Sequence, residues 1–565
     1  MHIQLHKMGG PAVVILFLVI AIQLQLSVEH RTLLDMGKDA SIFASYAAGM
    51  NHPDAFKSDV LLSDQKNIQF YNTIHIAAIR YLGPIIGSYD KVFVYLTGIH
   101  AFIFLLGWYL FGMEFMHHRF LAFLMACLFS LRTDGLYDTW VGLMAEPLPR
   151  VSFDAVLGYL LAATLRWGHH PKAHVWIVML FVPCLYLHPP FAALMGLFTW
   201  LIFLLRRTQG KGIRFLIVDN FGINIGFLGI LITCYVSFAS HVTPVGQVDP
   251  SAVYQIYLKV VPIYADSFPE LMRIFINLFN NGLLPMAFIG GFGIYYFGTY
   301  EQKQRLKFIV AWAGFILFFA FLSIILQKSN WLSVKELMYT MYGVQGFRYL
   351  FPILIALSLW IFVIVETNLS KNISPLLLRI GLVIIILTGT GTFKKWEPYF
   401  TAPKQSYWNL LEQLSKEKRR KQLEIEMIEA IQNLTLPDAH LLPLNVEPEV
   451  IRYAALRSVI HGSSDFSSFI YSNHRAVITW FYRESLVEDV KNLWDSWVES
   501  KEWQEQLETA LDCMLLTLKP DYIVSNYKKP VSIVERHGRK IIFENSKFML
   551  IDVRNATSAN LCRKL

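Results

Sequence analysis

The stretch PAVVILFLVIAIQLQLSVEH, residues 11–30, decides the class of fold because it is apolar for long enough to cross a lipid bilayer. A membrane-spanning helix needs about 20 mostly apolar residues. The stretch resembles a signal peptide, since Lys7 precedes it, but no small-residue cleavage site follows, so we predict an uncleaved helix. The composition agrees, since 54% of the 565 residues are hydrophobic and only 16% are charged, which excludes an ordinary soluble enzyme, a disordered chain and a collagen-like chain.

Similar apolar stretches recur along the chain and raise the predicted number of membrane-spanning helices to about eleven. After residues 11–30 they lie near 91–113, 120–133, 151–167, 174–189, 190–206, 214–238, 276–298, 307–327, 348–366 and 374–393. The stretch 120–133 is short and polar at its end, so the predicted number of membrane-spanning helices is uncertain by about one.

The short loops between alternate predicted helices are basic, and this bias sets the orientation in the membrane. With the N-terminus inside, the inner loops are HHR (117–119), RWGHHPK (166–172), RRTQGKGIR (206–214), KQRLK (303–307) and the segment around Lys371. The net charge of +8, from 50 Lys and Arg against 42 Asp and Glu, reflects this bias and does not indicate a nucleic-acid partner. The long segments then lie outside: 31–90, 134–150, 239–275, 328–347 and the chain after about residue 394.

The predicted fold is therefore an α-helical polytopic membrane protein with a C-terminal extracytoplasmic α/β domain. Residues 1–393 form the transmembrane domain, with a long first outer loop at 31–90, and 394–435 form an amphipathic linker helix. Residues 436–565 alternate helical stretches with the strand-like runs HLLPLNV, RAVITWF, PDYIVSNY and RKIIFENSKFMLIDV. Cys513 and Cys562 both fall in this domain and can pair if the compartment is oxidising.

Nucleotide-binding glycine loops, zinc motifs and paired-cysteine motifs are absent, so the candidate site residues are polar groups at the predicted outer surface. Asp39 follows the first helix by about two turns and is the first candidate. The alternatives to a functional role are that it is a solvated charge in a loop or the N-cap of a helix. Glu146 and Arg150 lie in EPLPRVSFDA, where the prolines fix an extended turn. Arg150 either binds a phosphate, pairs with an acid in a cavity, or extends to the lipid headgroups.

Two further candidates begin predicted helices at the same surface. His188, in LHPPFAAL, suits binding of a diphosphate, proton transfer or capping of a tight turn. Arg348 lies in QGFRYLFP, at the start of a predicted membrane helix. Its charge costs free energy at that depth in the membrane unless the side chain faces a cavity or the lipid headgroups. The placement of all these candidates on one side of the membrane, in a topology derived without them, favours a site there.

This arrangement resembles the glycosyltransferase C superfamily, polytopic enzymes that take a sugar from a polyprenyl-phosphate carrier. The stretch GKDASIFASYAAGM is similar to the family's first loop, and the resemblance implies Asp39 as catalytic acid–base residue and 67–87 as an interfacial helical segment. EPLPRVSFDAVLGYLLAA and LHPPFAALMGL resemble the family's proline–arginine helix start and histidine–proline turn. Many members carry a doubled acid where this chain has a lone Asp39, so a divalent metal cofactor stays open.

The resemblance implies transfer of a sugar from a polyprenyl-phosphate-linked donor to a glycan or lipid acceptor at the outer face. Arg150, His188, Arg348 and Glu146 are then expected to bind substrate or phosphate. Two alternatives remain: a non-catalytic membrane subunit of a polysaccharide or glycoconjugate assembly, and a transporter or flippase. The composition favours a bacterial inner membrane, with a cytoplasmic N-terminus, a periplasmic C-terminal domain and membrane lipids as partners.

Overall fold

The computed structural model divides the chain into two compact units, each assembled from separate parts of the sequence. The first, which we call the helical unit, comprises Met1–Val28, Tyr95–Val236 and Leu258–Lys404. The second, the mixed unit, comprises Glu29–Val94, Ser237–Tyr257 and Gln405–Leu565. The structure describes residues 2–28, 38–71, 73–130, 148–208, 220–238, 248–260, 267–327, 343–369, 407–495, 500–526, 535 and 537–556.

Helices account for nearly all of the described chain before the C-terminal region. In chain order they are α1 (His2–Val28), α2 (Lys38–Asn51), α3 (Ile74–Ile86), α4 (Lys91–Met116), α5 (Arg119–Ser130), α6 (Pro149–Trp167), α7 (Pro171–Met179), α8 (Phe181–Cys184), α9 (Pro189–Thr208), α10 (Phe221–Ser237), α11 (Pro250–Val260), α12 (Ser267–Asn280), α13 (Leu283–Phe297), α14 (Tyr300–Gln327) and α15 (Leu350–Leu369). The helices of the helical unit expose large apolar side chains, among them Phe288, Phe297 and Ile325. Such a surface suits contact with lipid rather than with water.

Four helical segments in the described part are long and apolar enough to cross a membrane, which indicates a membrane protein. They are Lys91–Met116, Pro189–Arg207, Tyr300–Gln327 and Gly343–Val363, and the bent pair Leu271–Asn280 and Leu283–Phe297 makes five if it counts as one span. The predicted total of about eleven is therefore not confirmed. The predicted span 374–393 lies outside the described residues.

Each predicted span within the described residues coincides with a helix or a helix pair, but some of these helices are too short or too bent to cross a bilayer alone. Helix α7 has 9 residues, so it is about 14 Å long. The predicted span 276–298 is broken at Gly282, whose positive φ of 71° ends one helix and starts the next at an angle of 69°. The break lies in Asn280-Asn281-Gly282, a helix-stop signal that the apolar average over the segment conceals.

The basic segments predicted to face inside meet at one end of the helical unit. Glu114, near the end of α4, lies 3.6 Å from Arg166 and 3.8 Å from Arg305. Glu301 lies 2.6 Å from Arg305 and 4.0 Å from His117. Arg206 and His169 line a cavity of about 240 Å³ together with Glu301 and Arg305. Four of the five predicted inner loops thus contribute residues to one end.

The mixed unit contains a five-stranded sheet in the order β2-β1-β3-β5-β4. Its elements after α16 (Tyr407–Leu434) are β1 (His440–Leu444), β2 (Ser458–Val459), α17 (Phe466–Ser472), α18 (His474–Asp495), α19 (Lys501–Leu518), β3 (Tyr522–Ser525), β4 (Lys540–Glu544) and β5 (Met549–Asp552). Strand β1 pairs in parallel with β2 and β3, whereas β5 is antiparallel to β3 and β4. Apolar residues of α18 and α19 pack on β1, β3 and β5 to form the core. The run RAVITWF, predicted as a strand, lies in α18 instead.

The first loop of the chain belongs to this same unit. Residues 40–49 of helix α2 are all buried. The amide of Val60 donates to the carbonyl of Val459 at 3.2 Å, beside the end of β2. Helix α3 buries Ile76 and Ile79 while Tyr81 and Ile85 are 70% and 80% exposed. The helix agrees with the helical character that the resemblance implies for 67–87, and its interfacial position stays a prediction.

Candidate functional site

A buried ion pair lies in the helical unit, at the start of α15. Arg348 belongs to the 3₁₀ turn Gly346–Tyr349 and is only 1% exposed. Its Nη1 atom lies 3.7 Å from Oδ2 of Asp154, and the Tyr349 hydroxyl donates to Oδ1 of Asp154 at 2.7 Å. The guanidinium carbon also lies 5.4 Å from the centre of the Phe191 ring. Arg348 is therefore enclosed by a carboxylate and an aromatic face, and not exposed at the unit's surface.

Asp154 is a functional candidate that the sequence analysis did not select. It lies in α6, four residues after Arg150, so the two residues share one face of the helix. Helices α4 and α6 approach closely at Gly107 and Gly158, and the Trp108 indole donates to the carbonyl of Asp154 at 3.1 Å. An acid inside an apolar helix marks a functional site by default, so a scan of the predicted spans for single acids would have found it.

His188 caps the N-terminus of α9. The amide of Phe191 donates to its Nδ1 atom at 3.4 Å, and the amide of Ala192 donates to its carbonyl at 3.0 Å. The imidazole stacks on the Phe191 ring with 4.6 Å between centroids. The structure brings His188 and Arg348 to the same aromatic ring, and it agrees with the capping alternative for His188.

Two of the other predicted site residues, Arg150 and Asp39, lie in the described part of the chain. Arg150 lies half-buried in the first turn of α6, one helical turn before Asp154. Asp39 lies half-buried in the first turn of α2, in the mixed unit, where a carboxylate interacts favourably with the helix dipole. Asp39 is the second residue of this helix, so the structure does not place it at the N-cap position that the alternative names. Glu146 lies outside the described residues.

A second buried charge cluster holds the first loop in the mixed unit. Arg452 donates from Nε to Oδ2 of Asp59 at 2.9 Å and from Nη1 to Oδ1 of Asp465 at 2.6 Å. Its Nη2 atom donates to both carboxylates, at 3.0 Å and 2.9 Å. All three side chains are fully buried. The two carboxylates raise the pKa of Arg452, against the effect of burial, so the guanidinium stays protonated.

Backbone groups complete the coordination of Asp59. Its Oδ1 atom accepts from the amides of Leu61 and Leu62 at 2.9 Å each, and Oδ2 accepts from the amide of Val459 at 2.8 Å. Asp59 therefore connects the first loop to the end of β2 through both side-chain and backbone hydrogen bonds.

Glu449 lies beside this cluster as a neutral acid. Burial raises its pKa to about 8, against the opposing effect of Arg452, so the carboxyl group is mostly protonated at neutral pH. The Ser464 hydroxyl donates to one of its oxygens. Protonation of Glu449 avoids a third negative charge next to Asp465.

Among the described residues, no group of three or more His, Cys, Asp or Glu side chains is arranged to hold a metal ion. Cys513, in α19, takes part in a disulfide bond, and Cys562 lies outside the described residues. Cys127, Cys184 and Cys234, all in the helical unit, are free thiols.

Comparison with known proteins adds no family assignment. No protein-family model matches the chain, and no curated protein matches it in sequence. A function must therefore be inferred from the residues themselves. These are the ion pair at the start of α15, the histidine cap of α9 and the acid in the first turn of α2.

Proposed function

We propose that the protein is a membrane glycosyltransferase that moves a sugar from a polyprenyl-phosphate-linked donor to a glycan or lipid acceptor at the outer face of the membrane. The observation that carries the proposal is the buried Arg348–Asp154 pair, because ionisable groups among apolar helices are costly and mark functional sites. Tyr349, Phe191 and His188 surround the pair with hydrogen-bonding and aromatic groups.

The proposed chemistry needs a base and cations. Asp39 deprotonates the acceptor hydroxyl as it attacks the anomeric carbon of the sugar. The bond from that carbon to the phosphate oxygen breaks, and the departing phosphate gains negative charge that cations stabilise. Arg348 and Arg150 supply positive charge, and His188 stacks on Phe191, the ring that Arg348 also contacts. Asp154 and Tyr349 hold Arg348 in one orientation before substrate binds.

The proposed orientation has the N-terminus in the cytoplasm and the mixed unit in the periplasm of a bacterial inner membrane. The disulfide bond of Cys513 supports this, because disulfides persist in oxidising compartments. We expect a reporter fused after Leu565 to be active only outside the cytoplasm and a reporter inserted after Gly210 to be active only inside it. The opposite pattern would reverse the side on which every proposed site residue lies.

Paired variants separate a structural role of Arg348 from a role in phosphate binding. We expect Arg348→Gln and Asp154→Asn alone each to destabilise the helical unit by about 3–5 kcal/mol, because each leaves an uncompensated buried charge. The double variant removes both charges and is expected to melt close to the wild-type temperature in detergent. Its transfer rate is nevertheless expected to fall by about 10²–10³-fold, because the cation that stabilises the leaving group is missing. Wild-type transfer by the double variant would assign the pair to folding alone.

A non-catalytic membrane subunit of a polysaccharide assembly is the second candidate function. It is favoured by two observations: Asp154 already balances the charge of Arg348, and His188 already caps α9. Under this alternative, both the Arg348→Gln/Asp154→Asn double variant and Asp39→Asn support glycan assembly in cells as well as the wild type does.

A further inference from the structure

A basic cavity of about 490 Å³ lies in the mixed unit, beyond the carboxyl ends of its parallel strands. Asn445 directly follows β1 and Asn526 directly follows β3, and both line the cavity. The complete lining is Lys416, Arg419, Arg420, Leu423, Asn445, Glu447, Asn526 and Lys547. Its volume lies in the range of about 300–1,000 Å³ that is typical of small-molecule sites.

The topology of the sheet places this cavity where open α/β sheets bind ligands. The chain leaves β1 toward β2 on one side, and it reaches β3 on the other side only after α17, α18 and α19. The connections that leave the carboxyl ends of β1 and β3 therefore run toward opposite sides of the sheet. This opens a crevice between the carboxyl ends of these two strands. Asn445 and Asn526 bring amide donors to this crevice from its two strands.

Helix α16 and the turn between β4 and β5 supply the positive charge. Lys416, Arg419, Arg420 and Leu423 follow one another at helical positions i, i+3, i+4 and i+7, so they share one face of α16. Lys547 enters from the turn. The lining thus carries four cations and one acid, Glu447, for a formal charge of 4 − 1 = +3.

Buried Glu424 holds two of these cations in place. Its Oε1 atom lies 3.2 Å from Nε of Arg420 and 3.2 Å from Nζ of Lys547. The side-chain amide of Asn545 donates to the carbonyl of Leu423 at 3.0 Å, which fixes the turn against α16. With Glu424 included, the group still keeps a formal charge of 4 − 2 = +2. Two of the four cations of the lining, Arg420 and Lys547, are therefore held in a defined geometry.

We propose that this cavity binds a phosphate-bearing anion, with the lysine and arginine side chains of its lining as ligands. Arginine recognises phosphate with paired hydrogen bonds, and lysine adds a point charge. The anion is either a free phosphate compound or the phosphate headgroup of a lipid. The proposal rests on the mixed unit alone and is independent of glycosyl transfer by the helical unit.

Two double variants with the same net charge test the proposal in the full-length protein. Lys416→Gln/Arg419→Gln removes two cations from the lining, whereas Lys418→Gln/Lys421→Gln removes two from the same helix outside the lining. Arg420 and Lys547 stay in place because each balances the buried carboxylate of Glu424. Inorganic phosphate is titrated into protein in non-ionic detergent by calorimetry. In parallel, hydrogen exchange of residues 416–423 is compared between phosphatidylcholine nanodiscs with and without phosphatidylglycerol.

A lining-specific loss is the result expected from either source of phosphate. If the ligand is free phosphate, its affinity falls by about tenfold in Lys416→Gln/Arg419→Gln and by less than about twofold in the control. If the ligand is a headgroup, phosphatidylglycerol slows exchange of 416–423 in wild type and control but not in Lys416→Gln/Arg419→Gln. Equal losses in the two double variants, or no wild-type response in either experiment, would overturn the proposal.

Discussion

Replacing Arg452 with methionine is expected to lower the free energy of unfolding of the mixed unit by about 3–5 kcal/mol. The guanidinium makes four hydrogen bonds to Asp59 and Asp465, and all three side chains are fully buried. Methionine fills a similar volume but leaves two carboxylates facing each other without a cation. Most of this free-energy loss comes from leaving the two buried carboxylates without a partner, and less comes from losing the hydrogen bonds that Arg452 makes in the wild type.

Hydrogen exchange on the intact protein measures this loss where it occurs. We expect Arg452→Met to speed exchange in 448–465 and also in 55–62, because Asp59 connects the first loop to β2 through the same cluster. Arg475→Met is the matched control, since Arg475 is an exposed residue of α18 and its loss is expected to cost less than about 0.5 kcal/mol. Unchanged exchange in 55–62 would show that the cluster does not hold the loop.

Much of the helical architecture follows from local sequence alone. Apolar runs predicted a helix at every described span. In an apolar solvent the backbone N–H and C=O groups of a run must bond to one another, and a helix satisfies them within the run. The breaks were harder to predict. Asn281-Gly282 divides one predicted span, and the average hydropathy of a long window hides two polar residues and a glycine.

The candidate sites differ in how far the sequence reveals them. Asp154 carries a local signal, an acid in an apolar run, that a fuller scan of the helices would have used. Asp59 carries none, because it resembles any other acid of a long loop. Its partner Arg452 lies 393 residues away in sequence, so only the folded structure shows their pairing. Arg348 was selected for its depth in a predicted span, but its partner could not be identified without the packing of α6.

Asp39→Asn is expected to lower the rate of sugar transfer by about 10²–10⁴-fold, the usual contribution of a general acid–base group. In the proposed reaction the carboxylate accepts a proton from the acceptor hydroxyl, and an amide of nearly the same shape cannot. Asparagine is readily accommodated near the start of a helix, so α2 is expected to form normally. A loss of transfer without a loss of folding therefore reports the chemical role.

Two other acids of the same loop serve as controls. Asp54 is fully exposed and makes a surface pair with Lys57 at 2.9 Å, so Asp54→Asn is expected to change transfer by less than about twofold. Asp64 caps a 3₁₀ turn by accepting from the amide of Lys66, and asparagine caps as well as aspartate does. Asp64→Asn is therefore expected to have an equally small effect.

We propose that this protein transfers a sugar and that Asp39 is the base. The most direct test is the initial rate of transfer from a polyprenyl-phosphate-linked sugar, measured side by side for purified wild type, Asp39→Asn and Asp54→Asn with matched melting temperatures. We predict that wild type and Asp54→Asn transfer the sugar at similar rates and that Asp39→Asn is slower by about 10²–10⁴-fold. Transfer by Asp39→Asn at the wild-type rate would contradict the claim.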